Sequence, residues 1–242
     1  MYHVYGDESV AGDFVVYGIV ASPEDKVQEV ENVLRAIKSQ YRVQPDAKWH
    51  CRQIFNPQGR KHTPWSHLGD SECYQMAVDL TIALGRSQFL KTVVGYVSTN
   101  ALGKAIPAIG AVASFTLEEK KQLIPFAFQA ALAQFSLDPE YRNNMKLWTD
   151  PDGTMIKWGG GNRQAGRLLT IREVSMPLAD TIFTITPENV QSKERPRLLE
   201  VADLMTYSSA RTLAKQKRAY DDVFETLAGM MRPVQHEFKW II

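Results

Sequence analysis

Residues 198–217 read as one long helix whose apolar positions, Leu198, Leu199, Val201, Ala202, Leu204 and Met205 among them, fall on most of its sides. Such a helix cannot lie on a surface; neighbouring elements must cover it nearly all round. Inside it stand two acids, Glu200 and Asp203, and at about 100° per residue they share one narrow face with Tyr207. An acid in apolar surroundings is costly unless it is paired or coordinates a cation. Whatever fold the chain adopts must bring partners to that face.

The rest of the chain supplies a sheet for the helix to pack on. Residues 2–5 and 14–21 are rich in Val, Tyr and Ile and predict a hairpin turning near Gly12. Ser22 and Pro23 then open a helix spaced by Val27, Val30, Val33, Leu34 and Ile37. Residues 44–69 hold three prolines and three histidines without a period, which predicts a long functional or partner-facing loop. A helix capped by Asp70 or Ser71 runs to about residue 84, and 89–97 is a third strand. Residues 101–115 are small and read as a loop or lid, and Thr116 with Glu119 is a capping-box pattern for a helix to about residue 135. Residues 145–149 form a short strand ended by the turn Asp150-Pro151-Asp152-Gly153. A helix near 163–172 and a strand at 181–186 complete the reading. Strands alternate with helices after an opening hairpin, which favours one α/β domain over residues 1–242, with a mixed sheet and insertions near 44–70 and 99–144.

Charge excludes a strongly basic histone-like binder: 28 Lys and Arg face 27 Asp and Glu, a net charge of +1. Cys51 and Cys73 are too few for a disulfide framework and suit a reducing compartment. The opening residues lack the basic and apolar regions of a signal peptide, and no uncharged apolar run reaches membrane-spanning length. A soluble cytoplasmic protein is expected. Phosphate-loop, zincin, nucleophile-elbow and dinucleotide motifs are missing, and Gly159-Gly160-Gly161 lacks the lysine and spacing of a phosphate loop. Cys51, His62, His67 and Cys73 lie in one stretch but form no close cysteine pair, so structural zinc is not expected.

Carboxylates carry the stronger signal. Asp7 and Glu8 follow the first strand, Asp150 ends a later one, and Asp203 sits on the apolar helix. Acids at the ends of two neighbouring strands and on a helix over the sheet can converge on one point. Two such charges about 4 Å apart repel by about 4 kcal/mol at an effective dielectric of about 20. A convergent set implies a bound divalent cation or a raised pKa, and oxygen donors suit Mg²⁺ or Mn²⁺. Each acid has a plainer role open to it: Asp7 satisfying backbone amides, Asp150 serving its turn, Asp203 pairing with Arg195 or Arg211.

The same residues carry a resemblance. Tyr5-Gly6-Asp7-Glu8-Ser9 looks like the opening of the family called domain of unknown function 3800, Lys48-Trp49-His50 resembles its Lys-Phe-His element, and Ser192-Lys193 through Pro196 to Ala202-Asp203-Leu204 is similar to its ending. Val10 stands where the family has Gly, and Glu200 where it usually has Gln. The resemblance implies a ribonuclease H-like mixed sheet flanked by helices, and a metal-dependent nuclease. It implies Asp7, Asp150 and Asp203 as ligands of Mg²⁺ or Mn²⁺, with Glu8 a helper; Glu200 could add a ligand. His50 becomes an acid/base candidate because its pKa lies near neutrality. Lys48, Lys193, Arg195 and Arg197 are candidate phosphate contacts. The expected function is hydrolysis of a phosphodiester in DNA or RNA. The alternatives are a non-catalytic module for a nucleic-acid or protein partner, a homo-oligomer included, and hydrolysis of a small phosphorylated metabolite.

Overall fold

The structure, a computed structural model, describes residues 1–100, 116–121, 123–137, 141, 145–149, 197–215, 221–231 and 233–237. Its centre is an antiparallel sheet of β1 (Tyr2–Ala11), β2 (Phe14–Pro23) and β3 (Lys91–Ser98). Short strands extend both edges in parallel, β4 (Met145–Thr149) beside β1 and β5 (Val234–Glu237) beside β3, giving the order β4-β1-β2-β3-β5. Gly12 has φ 54°, at the first of the two residues between the paired Ala11 and Phe14, where a tight hairpin turn takes glycine. β1 is longer than its sequence predicts. Asp7 pairs with Gly18 and the ladder continues to Ala11, whereas β4 follows β1 only as far as Gly6. Asp7 is therefore mid-strand, but it begins the stretch that β4 leaves uncovered.

Strand alternation divides the core in two. Tyr5, Val16, Val20 and Val94 face one layer; Val4, Val15, Tyr17, Ile19 and Val93 face the other. The first layer holds α1 (Val27–Gln40), α4 (Asp70–Gly85), α7 (Leu198–Ala214) and α8 (Asp221–Met231). The second holds α6 (Ile124–Leu137), after the short α5 (Leu117–Lys121). One helix over 116–135 is thus replaced by two. Pro125 lacks an amide proton and would clash with the carbonyl four residues earlier, so it is tolerated only in a helix's first turn.

The expected long functional or partner-facing loop is corrected in its structure, which is not a loop throughout. Residues 44–69 contain α2 (Cys51–Ile54) and α3 (Pro57–Arg60), and they bury Trp49, Ile54 and Trp65 in the first core. The two indoles meet edge to face at 5.6 Å. Arg60, inside this segment, donates to the Ile54 carbonyl at 2.6 Å and pairs with Asp70. Segments 101–115 and 150–196, with the expected helix near 163–172 and strand at 181–186, lie outside the described residues. Among the described residues no helix is long and apolar enough to cross a membrane.

Candidate functional site

The face of α7 that carries Glu200, Asp203 and Tyr207 does meet partners, and they come from one segment. Residues 47–51 alternate, with Ala47, Trp49 and Cys51 buried, Lys48 exposed and His50 half-buried. Arg197, ahead of α7, donates to the Pro45 carbonyl at 2.8 Å and pairs with Asp46. Glu200 pairs with the buried Lys38, which also donates to the Ala47 carbonyl at 2.7 Å, and it accepts from the Trp49 backbone. Asp203 Oδ2 accepts the Cys51 amide at 2.8 Å and lies 3.4 Å from His50 Nδ1. Tyr207 stacks on Phe55, their centroids 5.8 Å apart. One helix face thus clamps the chain from Pro45 to Phe55.

Two residues expected at a metal or a phosphate are committed elsewhere. Glu200 answers the Lys38 ammonium; burial raises its carboxyl pKa against that partner's pull. Arg197 is spent on Pro45 and Asp46. Lys48 is exposed and does not line the cleft described below. Asp150, Lys193 and Arg195 lie outside the described residues.

Asp7 and Asp203 share a side of the sheet. Asp7 alternates with Tyr5 toward the α7 layer, and its cross-strand partner Gly18 lets α7 come close, because a Cβ there would sit 2.0 Å from Thr206 Oγ1. That hydroxyl, one turn beyond Asp203, lies 3.4 Å from the Asp7 carbonyl oxygen. Asp7 Oδ1 accepts the Glu8 amide at 3.0 Å. Burial pushes the Cys51 thiol well up, and both Asp203 and Asp7 push it further, so Cys51 is no thiolate nucleophile. Glu8 alternates to the opposite side; burial raises the Tyr17 hydroxyl pKa, and the charge of Glu8, then that of Asp7 from across the sheet, raises it further.

His50, Asp203 and Glu8 reach a common cleft of about 810 Å³, at the part of β1 that β4 leaves free. Arg52, Lys121 and Arg211 bring positive charge to it. Phe55, Tyr74, Tyr207 and Phe224 form an aromatic wall. Sequence reasoning missed Arg52, Lys121 and all of this wall but Tyr207, and it named Arg211 only as a possible ion-pair partner of Asp203. One signal was there: Asp203, Tyr207 and Arg211 follow at four-residue steps, which keeps them on one side of a helix.

No protein family, curated protein or solved structure matches the chain. The resemblance to the domain of unknown function 3800 family therefore rests on its own residues. Among the described residues no group of three His, Cys, Asp or Glu side chains is placed to hold a metal ion. Cys51 and Cys73 are buried free thiols, and His67 Nε2 is 3.0 Å from the Tyr41 carbonyl. The two acids on the α7 side are another matter. Mg²⁺ is commonly bound through one or two carboxylates, with water and substrate phosphate completing its shell, and hard oxygen donors of this kind fit it.

Proposed function

We propose that the chain is a divalent-metal-dependent phosphodiesterase acting on nucleic acid, built on a ribonuclease H-like sheet and related to the family it resembles. The observation that carries the reading is Asp203 in a cleft with His50 and three cationic side chains, with Asp7 on the same side of the sheet though not itself lining that cleft. The opening hairpin, the antiparallel β1–β2–β3 unit and the parallel β4 beside β1 support the fold assignment.

In this reading Asp7 and Asp203, with Asp150, hold Mg²⁺ or Mn²⁺. When bound at these residues, the ion would supply Lewis-acid chemistry, polarising a phosphoryl group and lowering the pKa of a water molecule. His50, with Nδ1 toward Asp203, lines the cleft, and its imidazole would move a proton to or from the reacting oxygens. Arg52 and Lys121 offset phosphate charge.

One observation favours a non-catalytic binding module instead: Asp203 accepts the Cys51 amide, so it holds α2 in place whether or not a cation binds. Thermal melts of wild type and Asp203→Asn, in EDTA and in Mn²⁺, separate the two. Asn retains an oxygen for the Cys51 amide, so the hydrolase reading expects EDTA stabilities within about 1 kcal/mol of each other. At a Mn²⁺ concentration about 100-fold above Kd, wild type should gain about 2.7 kcal/mol, several degrees, and the variant much less. Cleavage of nucleic acid should fall by orders of magnitude. A Mn²⁺-insensitive wild type, with a variant several kcal/mol weaker in EDTA, would establish the binding module.

A further inference from the structure

The cleft has a wall that hydrolysis alone does not use. Phe55 lies between Tyr74 and Tyr207, nearly parallel to both at 21° and 23°. Phe224 meets Phe55, Tyr74 and Tyr207 edge-on at 5.0, 5.5 and 5.2 Å. The Arg211 guanidinium lies over this cluster, 4.8 Å from the Phe224 centroid and 5.7 Å from that of Tyr207, and is hydrogen-bonded to the Tyr207 hydroxyl. Arg211 is half-buried and lines the cleft. A guanidinium plane held on an aromatic bed is a platform on which a nucleobase stacks.

Phosphate recognition needs no such wall. A net charge of +1 gives the chain little with which to grip a long polyanion through phosphates alone. The cleft's 810 Å³ falls in the range of roughly 300–1,000 Å³ that holds a single ligand. In a duplex each base face is covered by its neighbours, so none meets Arg211 unless it is first flipped out. We propose that the cleft binds an unpaired nucleotide, its base on the Arg211 guanidinium and its phosphate toward His50 and Arg52, which makes the substrate single-stranded nucleic acid. The inference rests on the nucleic-acid reading of the site, but not on cleavage.

Fluorescence anisotropy in EDTA tests it with three probes: a labelled single-stranded octanucleotide, its duplex, and the strand made abasic throughout. Wild type should bind the single strand at least about tenfold more tightly than the duplex and lose a similar factor on the abasic strand. Arg211→Met should lose about tenfold on the intact strand and discriminate little against the abasic one. Arg211→Lys keeps the charge without the plane and should lose nearly as much as Arg211→Met. Equal affinity for duplex and single strand overturns the proposal. So does an Arg211→Lys variant that binds like wild type, or no binding of either oligonucleotide. The abasic comparison uses wild type alone, so it holds if a variant folds poorly. Cleavage, measured separately with Mn²⁺, distinguishes the two readings. Single-strand binding through Arg211 without any cutting refutes hydrolysis and leaves this inference, while equal cutting of duplex and single strand refutes this inference and leaves hydrolysis.

Discussion

Lys38 and Glu200 sit in the core with side-chain exposures of 0% and 5%. Burial lowers the ammonium pKa and raises the carboxyl pKa, and each group opposes the shift of the other. Such a pair contributes little beyond apolar packing, because desolvation offsets most of the attraction. Breaking it from one side is different. Glu200→Gln keeps an amide oxygen for the Lys38 ammonium but removes the opposing charge, so a buried cation is left uncompensated, which should cost about 3 kcal/mol. Adding Lys38→Met removes the stranded charge, so the double variant should be more stable than Glu200→Gln in urea melts. A double variant no more stable would locate the loss at the Trp49 amide instead. Cys73 gives a pH test. Burial pushes its thiol up to about 11, above its unfolded value of about 8.5. The stabilisation is whole below the unfolded value and is lost as pH climbs through the folded one. The melting temperature should fall between about pH 9 and pH 11, and less steeply in Cys73→Ala.

At the level of elements, glycine sets how close a helix can come to the sheet. A Cβ on Gly95 of β3 would stand 2.0 Å from the Ala127 carbonyl oxygen and 2.2 Å from the Ala131 nitrogen, both backbone atoms of α6. That contact cannot be relieved by turning a side chain, so Gly95→Ala must displace the helix, with an expected loss of about 3 kcal/mol. Gly229, exposed in α8, has nothing within 4 Å of its would-be Cβ. Gly229→Ala should stabilise by about 0.5–1 kcal/mol, and paired chemical melts would check the opposite signs. The elements legible in the sequence are those with a period. The apolar spacing of α1, the approximate start of α4 and the apolar bulk of α7 all show, and so does the need of Asp203 for partners. The cap of α4 does not, because Gly69 rather than Asp70 or Ser71 takes that position and Glu72 answers its amide. Residues 44–69 do not show, because Trp49, Ile54 and Trp65 are buried by loops and four-residue helices too short to set a period. The aromatic wall is hidden for a related reason: Phe224 and Arg211 become neighbours only when α8 packs on α7.

For the whole molecule, balanced charge is only the start of the argument, because several cations are already spent inside. Lys38 answers Glu200, Arg60 holds Ile54 and Asp70, and Arg197 holds Pro45 and Asp46. Among the described residues the cationic side chains at the cleft are Arg52, Lys121 and Arg211, and the proposed role of Arg211 is stacking. About two phosphates are then neutralised on binding. For single strands each contributes about −0.7 to the slope of log K against log salt, so the slope should lie near −1.5. Between about 50 and 200 mM salt, affinity should fall less than about tenfold, against about 10³-fold or more for a binder that makes six to ten phosphate contacts. Anisotropy titrations of the single-stranded octanucleotide at four salt concentrations would measure the slope. A value steeper than about −4 would mean that phosphates rather than bases hold the strand. A shallow slope that persists in Arg211→Met while affinity drops would mean that the guanidinium acts through its plane and not through its charge.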